Sequence, residues 1–366
     1  MRSKLKRRGS ILALLLVFAL VAAACSSDDD STDTTGAGGG GDTTTTTTEA
    51  PMAGEGIGVG LAYDIGGRGD KSFNDSAAAG LDKAVGDLGV ASTELEPSAG
   101  GENREENLRL LAEAGNDLIF GIGFAYGDAM LATATDFGDT NFAIVDSVVD
   151  APNVASLVFA EHEGSALVGA AAALKTQTNK VGFIGGVAGL GLIEKFQAGF
   201  EFGVAQINPD IEVLVTYLTE FPDFSGFNDP AAGKEAALAM YEDGADVVYH
   251  AAGGSGAGLF EAAKETSEGS GTKVWAIGVD SDQYETAGAE VQEYILTSML
   301  KRVDVAVFST INNFVTGGQQ SGVVLFDLSA DGVGFSTSGG FVDDIKGQLD
   351  ALREQIIKGE VTVPTE

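Results

Sequence analysis

From residue 57 onward, short apolar runs alternate with longer amphipathic stretches, and this alternation constrains the fold more than any other feature. Alternation of strands with helices is typical of a parallel sheet covered by helices. The strand-like runs occupy 57–62, 118–122, 142–146, 155–159, 180–184, 211–217, 247–251 and 274–279. The helical stretches occupy 74–88, 102–114, 164–176, 194–207, 231–242, 258–267, 301–316 and 340–358. The pattern predicts an α/β fold with doubly wound, largely parallel sheets.

Many of the 52 glycines stand where a predicted strand ends, as at 121–123, 185–186 and 253–254. In open parallel sheets, ligands bind at the carboxyl ends of the strands. We therefore expect a site built from the loops that follow the strands. The roughly 310 residues from 57 onward exceed a single typical core and predict two lobes.

The first 25 residues have the pattern of a secretory signal. Residues 2–8 are rich in Lys and Arg, and an apolar run at 11–24 follows them. That run is shorter than the ~20 residues of a membrane span, and signals have this arrangement. The sequence Ala-Ala-Ala-Cys at 22–25 resembles a bacterial lipobox, which predicts a signal peptide over 1–24 and a lipid on Cys25. An ordinary cleaved signal is the alternative. Residues 25–55, rich in Ser, Thr, Asp and Gly, predict a disordered stalk.

The charge of the chain excludes some classes of partner. Lys and Arg number 21 against 54 Asp and Glu, which gives a net charge of −33. A field of this sign repels polyanions, so we predict no nucleic-acid binding and expect neutral or cationic ligands to be favoured over phosphorylated ones. Cys25 is the only cysteine, so the chain has no internal disulfide.

Motifs for catalysis, metals and cofactors are incomplete. The stretch 253–258 lacks the Lys and Ser/Thr of a phosphate-binding loop, and Ser255 is followed by Ala257 where a nucleophile elbow needs glycine. The two histidines, His162 and His250, stand far apart, and no cysteine pair exists to complete a metal site. We therefore predict a protein that is not an enzyme and holds no metal or cofactor.

Nine segments, in order, resemble the basic membrane protein family of lipoproteins, the group that contains the purine nucleoside receptor. The resemblance covers residues 56–366. The segments are 64–74 (Asp-Ile-Gly-Gly-Arg-Gly-Asp-Lys-Ser-Phe-Asn), 121–124, 163–165, 185–186, 196–200, 227–230, 252–258, 278–283, and Ser298 with Lys301.

This resemblance implies a type I periplasmic-binding-protein fold, with two lobes joined by a three-crossover hinge and a ligand in the cleft. It implies a first lobe of residues 56–158 and 298–320, and a second lobe of residues 159–297 and 321–366. It also implies the substrate-binding lipoprotein of an ABC importer, which captures purine nucleosides and delivers them to a permease with its ATPase. The alternatives are another flat ligand, such as a flavin or a pyrimidine nucleoside, and a surface sensor without an importer.

The resemblance also implies which residues contact the ligand. Aromatic rings suit a base, and charged acceptors suit a sugar diol. The implied contacts are a clamp of Phe73 and Phe196 with Phe124 beside it, a ribose pair of Asp280 and Lys301, base-edge groups at Asp64, Asn74 and Asp146, and a backbone contact at Gly253 and Gly254.

Some of these residues have a simpler interpretation. Asp280 and Asp146 each end a predicted strand, so Asp280 can cap the next helix and Asp146 can cap the hinge. Lys301 begins a predicted helix, where the helix dipole disfavours a cation, and this conflict favours a functional role. The segment 217–225 is longer than expected for the family, and we predict that its phenylalanines and Phe227 pack beneath this loop.

Overall fold

A computed structural model describes residues 52–318 and 321–366. The predicted signal peptide, Cys25 and nearly all of the predicted stalk lie outside these residues. Within the described part of the chain, no helix is both long and apolar enough to cross a membrane. This part forms two six-stranded sheets with helices on both faces of each sheet. The predicted α/β, doubly wound architecture is confirmed.

Strands and helices alternate through most of the described chain. The strands are β1 (Gly58–Ala62), β2 (Ala91–Leu95), β3 (Leu118–Gly121), β4 (Asn141–Val145), β5 (Val154–Phe159), β6 (Lys180–Ala188), β7 (Glu212–Glu220), β8 (Val247–Ala251), β9 (Trp275–Asp280), β10 (Ile295–Lys301), β11 (Gly322–Phe326) and β12 (Val333–Phe335). The helices are α1 (Phe73–Leu88), α2 (Arg104–Glu113), α3 (Gly127–Asp136), α4 (Glu161–Lys175), α5 (Leu192–Ile207), α6 (Pro230–Glu242), α7 (Gly256–Ser270), α8 (Gln283–Thr286), α9 (Val303–Val315) and α10 (Lys346–Ile357).

The two sheets share one arrangement of strands. The first has the order β11-β5-β4-β3-β1-β2, and all its strands are parallel. The second has the order β12-β10-β9-β8-β6-β7, with β12 antiparallel to β10. The central strands are buried along their whole length because helices cover both faces, which explains their continuous apolar runs.

The chain passes between the sheets three times: after β5, after β10 and after β11. The crossing points correct two predicted lobe boundaries. β10 lies wholly in the second sheet, although we predicted that residue 298 begins a first-lobe segment. β11 pairs with β5 in the first sheet, although we predicted that residues 321–366 belong to the second lobe. Lobe membership depends on which distant strand accepts the hydrogen bonds, and an apolar run does not carry that information.

Lys301 corrects a second prediction, because it does not begin a helix. It is the last residue of β10, and helix α9 begins only at Val303. The predicted conflict between a cation and a helix N-terminus therefore does not exist. The burial of Lys301, described below, is the feature that distinguishes it.

Helices α4 and α5 cross so closely that only glycine fits at the contact. A Cβ added at Gly203 would lie 2.0 Å from the carbonyl oxygen of Ala166, and one at Gly169 would lie 2.2 Å from that of Phe200. This backbone-to-backbone packing fixes α5 against the helix that enters the second lobe. Because α5 is fixed in this way, its first turn reaches the cleft between the lobes.

Candidate ligand-binding site

A cavity lies between the two lobes, at the carboxyl ends of their strands. Nine of the ten predicted ligand contacts line it: Asp64, Phe73, Asn74, Phe124, Asp146, Phe196, Gly253, Asp280 and Lys301. Gly254 is not in the lining and packs against the side chain of Asn228. The lining is completed by Ile65, Asp70, Gly123, Leu192, Ile193, Phe224, Phe227, Ala251 and Val279.

The first lobe presents acidic and amide groups that its own loop holds in position. Asp64 follows β1, and its Oδ1 accepts hydrogen bonds from Arg104 Nε at 3.1 Å and Nη2 at 2.5 Å. The Asn74 side-chain oxygen accepts the backbone N–H of Asp64 at 3.1 Å. Burial raises the pKa of Asp64, and the Arg104 guanidinium opposes that rise.

Asp70 is a cavity residue that the sequence analysis missed. Its carboxylate accepts the backbone N–H groups of Ser72, Asn74 and Asp75 at 2.9, 2.9 and 3.1 Å. Burial raises the pKa of Asp70, and these N–H donors oppose the rise. The signal in the sequence is an aspartate two residues before Ser72, at the start of α1, where carboxylates bind the free N–H groups of a first turn.

Asp146 and Asp280 occupy matching positions in the two lobes. Asp280 ends β9 and Asp146 directly follows β4, the fourth strand in chain order of each sheet. Both have a left-handed backbone, with φ of 68° at Asp146 and 62° at Asp280. Few non-glycine residues adopt this conformation, and Asp and Asn tolerate it best. The sharp turn at each strand end lets both carboxyl groups reach the cavity.

Lys301 joins the lobes through a buried ion-pair network. Its Nζ lies 2.6 Å from Asp146 Oδ2 and 3.2 Å from Glu161 Oε1, and Lys195 Nζ lies 2.8 Å from Glu161 Oε2. The side chains of Lys301 and Glu161 are 2% and 1% exposed. Burial lowers the pKa of Lys301, but the carboxylates of Asp146, Glu161 and Asp280 outweigh it and raise the pKa above its usual value.

The sequence analysis missed Glu161. Glu161 is the first residue of α4, at the first crossing between the sheets. An acidic side chain stabilises a helix N-terminus, so nothing in the sequence distinguished it from a solvated first-turn residue. Its burial beside two lysines follows from the approach of β10 and α5, which only the tertiary structure shows.

The two strand-end carboxyl groups differ in their partners. Asp280 accepts a hydrogen bond from Ser72 Oγ at 2.5 Å, whereas Asp146 is held by Lys301. Burial raises the pKa of Asp280 to about 7, and Lys301 and Ser72 oppose the rise. Burial also raises the pKa of Asp146, again opposed by Lys301. Among the described residues, Asp146 Oδ1 is buried and has no hydrogen-bond partner.

Five phenylalanine rings line the cavity: Phe73, Phe124, Phe196, Phe224 and Phe227. We predicted that Phe224 and Phe227 pack beneath a long loop, and that prediction is wrong. Their ring centroids lie 5.9 and 6.5 Å from that of Phe124, which belongs to the opposite lobe.

The backbone around Phe227 explains how its ring enters the cleft. A Cβ at Gly186 would lie 2.5 Å from the Phe227 ring, so the glycine at this point of β6 leaves the necessary space. Phe221, from the same segment, remains 58% exposed. The sequence could not separate the three rings, because only the fold of the 221–227 turn determines which of them face the cleft.

The residues considered for catalysis have structural hydrogen bonds. Ser255 Oγ donates to the carbonyl of Gly226 at 2.8 Å and accepts the N–H of Asp229 at 2.7 Å. His250 is fully buried and contacts Gln283 rather than Ser255. Within the two described ranges, no group of three or more His, Cys, Asp or Glu side chains is arranged to hold a metal ion.

Known proteins resemble this chain over almost all of its described length. A Bmp family model, described as ABC transporter substrate-binding protein PnrA-like, matches residues 59–366. The CD4+ T-cell-stimulating antigen of Listeria monocytogenes is 35% identical over 84% of this chain and 87% of its own length. The ABC transporter nucleoside-binding protein BmpA of Lactococcus lactis is 35% identical over 83% of this chain and 88% of its own length.

A solved structure supports the same assignment. The ABC transporter solute-binding protein from Aeropyrum pernix K1 is 29% identical, has a TM-score of 0.73, and covers 85% of this chain and 94% of its own. The predicted type I periplasmic-binding-protein fold is thereby confirmed. The prediction that the chain is not an enzyme agrees with a family of substrate-binding proteins. This protein therefore belongs to the Bmp family of PnrA-like ABC transporter substrate-binding proteins.

Proposed function

We propose that the cavity binds a nucleoside, with purine nucleosides preferred. The observation that carries this proposal is the combination of five phenylalanine rings and two buried strand-end carboxyl groups around a single cavity. Aromatic faces stack on a base with about 1–3 kcal/mol per base. The relative from Lactococcus lactis bears the name nucleoside-binding protein, and it shares about a third of its residues with this chain.

On the aromatic side, Phe73 and Phe196 are the best candidates for the base clamp. The Nζ of Lys301 lies 5.2 Å from the Phe73 ring centroid and 5.5 Å from the Phe196 ring centroid. The two rings therefore flank one point of the cavity, although they come from opposite lobes. Closing the lobes on a flat ring would bring both faces of that ring into contact, which favours a base over a sugar alone.

On the polar side, we propose that Asp280 and Lys301 hold the ribose. An ionised carboxylate accepts two hydroxyl hydrogen bonds, each contributing about 1.5–3 kcal/mol. Lys301 donates one hydrogen bond to Asp146 and forms an ion pair with Glu161, so at least one of its three N–H groups has no protein partner in the part of the chain that the structure describes. That N–H can donate to a ligand oxygen.

We propose that the base edge is read by Asp146, Asp64 and Asn74. The unpartnered Oδ1 of Asp146 needs a donor, because a buried carboxylate oxygen without one costs free energy. Purine edges supply N–H donors, and so do the rings of pyrimidines and flavins, which therefore remain competitors. A phosphate group would meet four aspartates and one lysine here, so nucleotides are disfavoured.

The family consists of ABC transporter substrate-binding proteins, which implies a permease and its ATPase as partners, and we propose that this transporter is an importer. We propose that the lobes close on the nucleoside and that the closed pair of lobes is the form the permease recognises. Permease and ATPase genes beside the coding gene would support this role over that of a sensor without an importer.

Calorimetric titration tests the ligand. The full-length chain, purified in detergent and freed of bound ligand by unfolding and refolding, is titrated with adenosine, guanosine, inosine, cytidine, uridine and riboflavin. We expect saturable binding of the purine nucleosides, without release of free base. A preference for riboflavin or the pyrimidines would transfer the proposal to that ligand, and silence across all six would overturn it.

We also propose that a lipid on Cys25 holds the protein on the extracytoplasmic face of the cell membrane. Cys25→Ser removes the only thiol that can be acylated, so we expect the variant to move from the membrane fraction to the soluble fraction with nucleoside affinity unchanged. Fractionation of cells expressing each form, with immunoblotting, measures this. Ser26→Ala is the control, because it leaves Cys25 in place, and equal membrane retention of all three forms would contradict the anchor.

A further inference from the structure

Beside the cavity, hydrogen bonds connect a short turn of the first lobe to a segment of the second lobe. We call these two pieces, Lys71–Ser72 and residues 280–287, the latch. Five hydrogen bonds join them: Ser72 Oγ to Asp280 Oδ2 (2.5 Å), Ser281 Oγ to the Ser72 carbonyl (3.0 Å), Gln283 Nε2 to the Lys71 carbonyl (3.0 Å), Thr286 Oγ1 to the same carbonyl (3.3 Å), and Lys71 Nζ to the Ala287 carbonyl (3.3 Å).

We infer that the latch holds the two lobes closed and slows ligand release, and that His250 is its positioning residue, acting through the side-chain amide of Gln283. The inference rests on the proposed function for the identity of the ligand. The closure itself is a property of the two lobes and can be measured with no ligand present.

The latch is connected directly to the cavity. Asp280, the first residue of the second-lobe segment, lines the cavity, and so does Phe73, which directly follows Ser72. Lys71 has a left-handed backbone, with φ of 56°. Its carbonyl oxygen accepts hydrogen bonds from both Gln283 Nε2 and Thr286 Oγ1. A ligand that contacts Phe73 and Asp280 therefore also brings the two parts of the latch together.

His250 determines which end of the Gln283 amide faces the first lobe. Its ring is fully buried, and burial lowers its pKa to about 4, so the ring is neutral. Nδ1 has no partner among the described residues, which assigns the proton to Nε2, 3.0 Å from Gln283 Oε1. Gln283 Oε1 also accepts the Val279 N–H at 2.8 Å. With both donors on Oε1, the amide nitrogen must point toward Lys71.

The arrangement leaves little room for another orientation. The backbone N–H of Gln283 donates to Ser298 Oγ at 3.0 Å, so the start of α8 is tied to β10. A Cβ at Gly256 would lie 1.9 Å from His250 Cε1, so the backbone of α7 confines the imidazole ring. If the amide were reversed, its NH₂ group would face the N–H donors of His250 and Val279. Its oxygen would then face the carbonyl oxygen of Lys71, and neither contact would be a hydrogen bond.

The test measures the distance between the lobes and the lifetime of the complex. Nitroxide labels are attached to Leu131→Cys on α3 and Glu235→Cys on α6, both exposed, in the full-length chain with Cys25→Ser. Gln283→Met removes the interlobe bond while keeping the side-chain length. Gln197→Met is the matched control, because among the described residues the Gln197 side chain bonds only to Tyr217 and Glu201, both in the second lobe.

We expect Gln283→Met to lengthen the interlobe distance distribution, with and without nucleoside, and to raise the nucleoside dissociation rate about tenfold, since the hydrogen bond from Gln283 to the first lobe is lost. The association rate should not fall, because the latch takes no part in the encounter with the ligand. Gln197→Met should match the parent chain. Identical distance distributions for the parent and Gln283→Met overturn the latch, whereas a parent that closes but binds no nucleoside overturns only the proposed ligand.

His250 is tested by loss and rescue. His250→Phe should reproduce the faster dissociation of Gln283→Met, and His250→Gln, which keeps a donor near Nε2, should restore slow dissociation. If His250→Phe does not fold, Thr286→Val and Ser281→Ala weaken the latch without touching the buried ring and should each speed dissociation by about threefold. Unchanged dissociation in both of these variants overturns the latch, and a His250→Gln chain as fast as Gln283→Met overturns the role of His250.

Discussion

The two lobes repeat one strand order, yet they contribute different chemistry to the cavity between them. In both sheets, the first five strands in chain order are arranged in the same spatial order. In both, an aspartate with a left-handed backbone stands at the end of the fourth strand. Around Asp146, the first lobe adds the polar groups of Asp64, Asp70 and Asn74 beside the apolar groups of Ile65, Phe73 and Phe124. Around Asp280, the second lobe adds mainly apolar groups and one cation: Leu192, Ile193, Phe196, Phe224, Phe227, Val279 and Lys301.

The difference begins at the first strand of each lobe. β1 ends at Ala62, and an irregular segment of ten residues separates it from α1. That segment presents carboxylates fixed by Arg104 and by backbone N–H groups. β6 continues to Ala188, and α5 begins soon afterward with Leu192 and Ile193, which line the cavity. The repeated fold thus determines where the cavity lies, and the connection after the first strand determines how polar each wall is.

The largest effect should come from removing the cation shared by both lobes. Lys301→Met leaves Asp146 and Glu161 buried without their ammonium group, and breaking a buried pair in this way costs about 3–5 kcal/mol. We expect the free energy of unfolding in urea to fall by that amount and nucleoside binding to be lost. Lys195→Met, at a site 29% exposed with one carboxylate partner, is the control and should cost clearly less. Equal losses would show that the network does not depend on the interlobe lysine.

The next test compares the two matching aspartates. Asn tolerates the left-handed backbone, so Asp280→Asn and Asp146→Asn change charge with little change of conformation. We expect Asp280→Asn to weaken nucleoside binding at least about tenfold, with little effect on the free base, because it loses a charged acceptor for the diol. Asp146→Asn should weaken nucleoside and base alike. Calorimetric titration with guanosine and guanine distinguishes the two variants. If both variants lost the same affinity for guanine, Asp280 would not be the residue that contacts the sugar.

A smaller effect is expected from the aromatic clamp. Phe73→Ala should weaken nucleoside binding about tenfold, because stacking on one ring contributes about 1–3 kcal/mol. Phe196→Ala should do the same from the opposite lobe, although Phe196 is buried and its loss should also lower the melting temperature. Phe314→Ala, on α9 away from the cavity, serves as the control. Unchanged affinity in Phe73→Ala would restrict the clamp to the second lobe.

The smallest effect is a pH dependence with two opposite signs. The pKa of Asp280 is about 7 in the folded chain, whereas an aspartate that is not buried has a pKa of 3.8. Between these two pH values, the folded chain therefore binds more protons than the unfolded chain. The free energy of unfolding should therefore decrease as pH rises through this window. Nucleoside affinity should increase over the upper part of it, because only ionised Asp280 accepts both hydroxyls. Urea unfolding and titration at pH values between about 5 and 8 measure this. Asp280→Asn should weaken both trends without abolishing them, because burial also raises the pKa of Asp64, Asp70 and Asp146.

The fold was predictable where a segment is buried on both sides. The predicted run 247–251 coincides with β8, and the predicted helices match α1, α5 and α6 within two residues. The prediction missed β2, whose residues Ala-Ser-Thr-Glu-Leu are mostly exposed at the edge of the sheet and show no apolar run. It also missed β11 and β12, which lie at the edges of the two sheets, and β10, a buried internal strand whose apolar run is interrupted by Thr297 and Ser298.

The site was predictable where a motif and a strand end coincide. Nine of the ten residues carried over from the family motifs line one cavity, and their role in binding stays a prediction. Asp70 and Glu161 escaped because each resembles an ordinary helix-start carboxylate. Phe224 and Phe227 escaped because a run of aromatics does not show which rings face the cleft.

By itself, the sequence determined the class of fold, the acidic character of the chain and the family, because these depend on periodicity, composition and local motifs. Only the tertiary structure decided which lobe each late strand joins and which groups Lys301 contacts. It also decided that His250 and Gln283 support a bridge between the lobes. These features depend on contacts between residues that are far apart in the chain. Local sequence does not encode the distances between such residues.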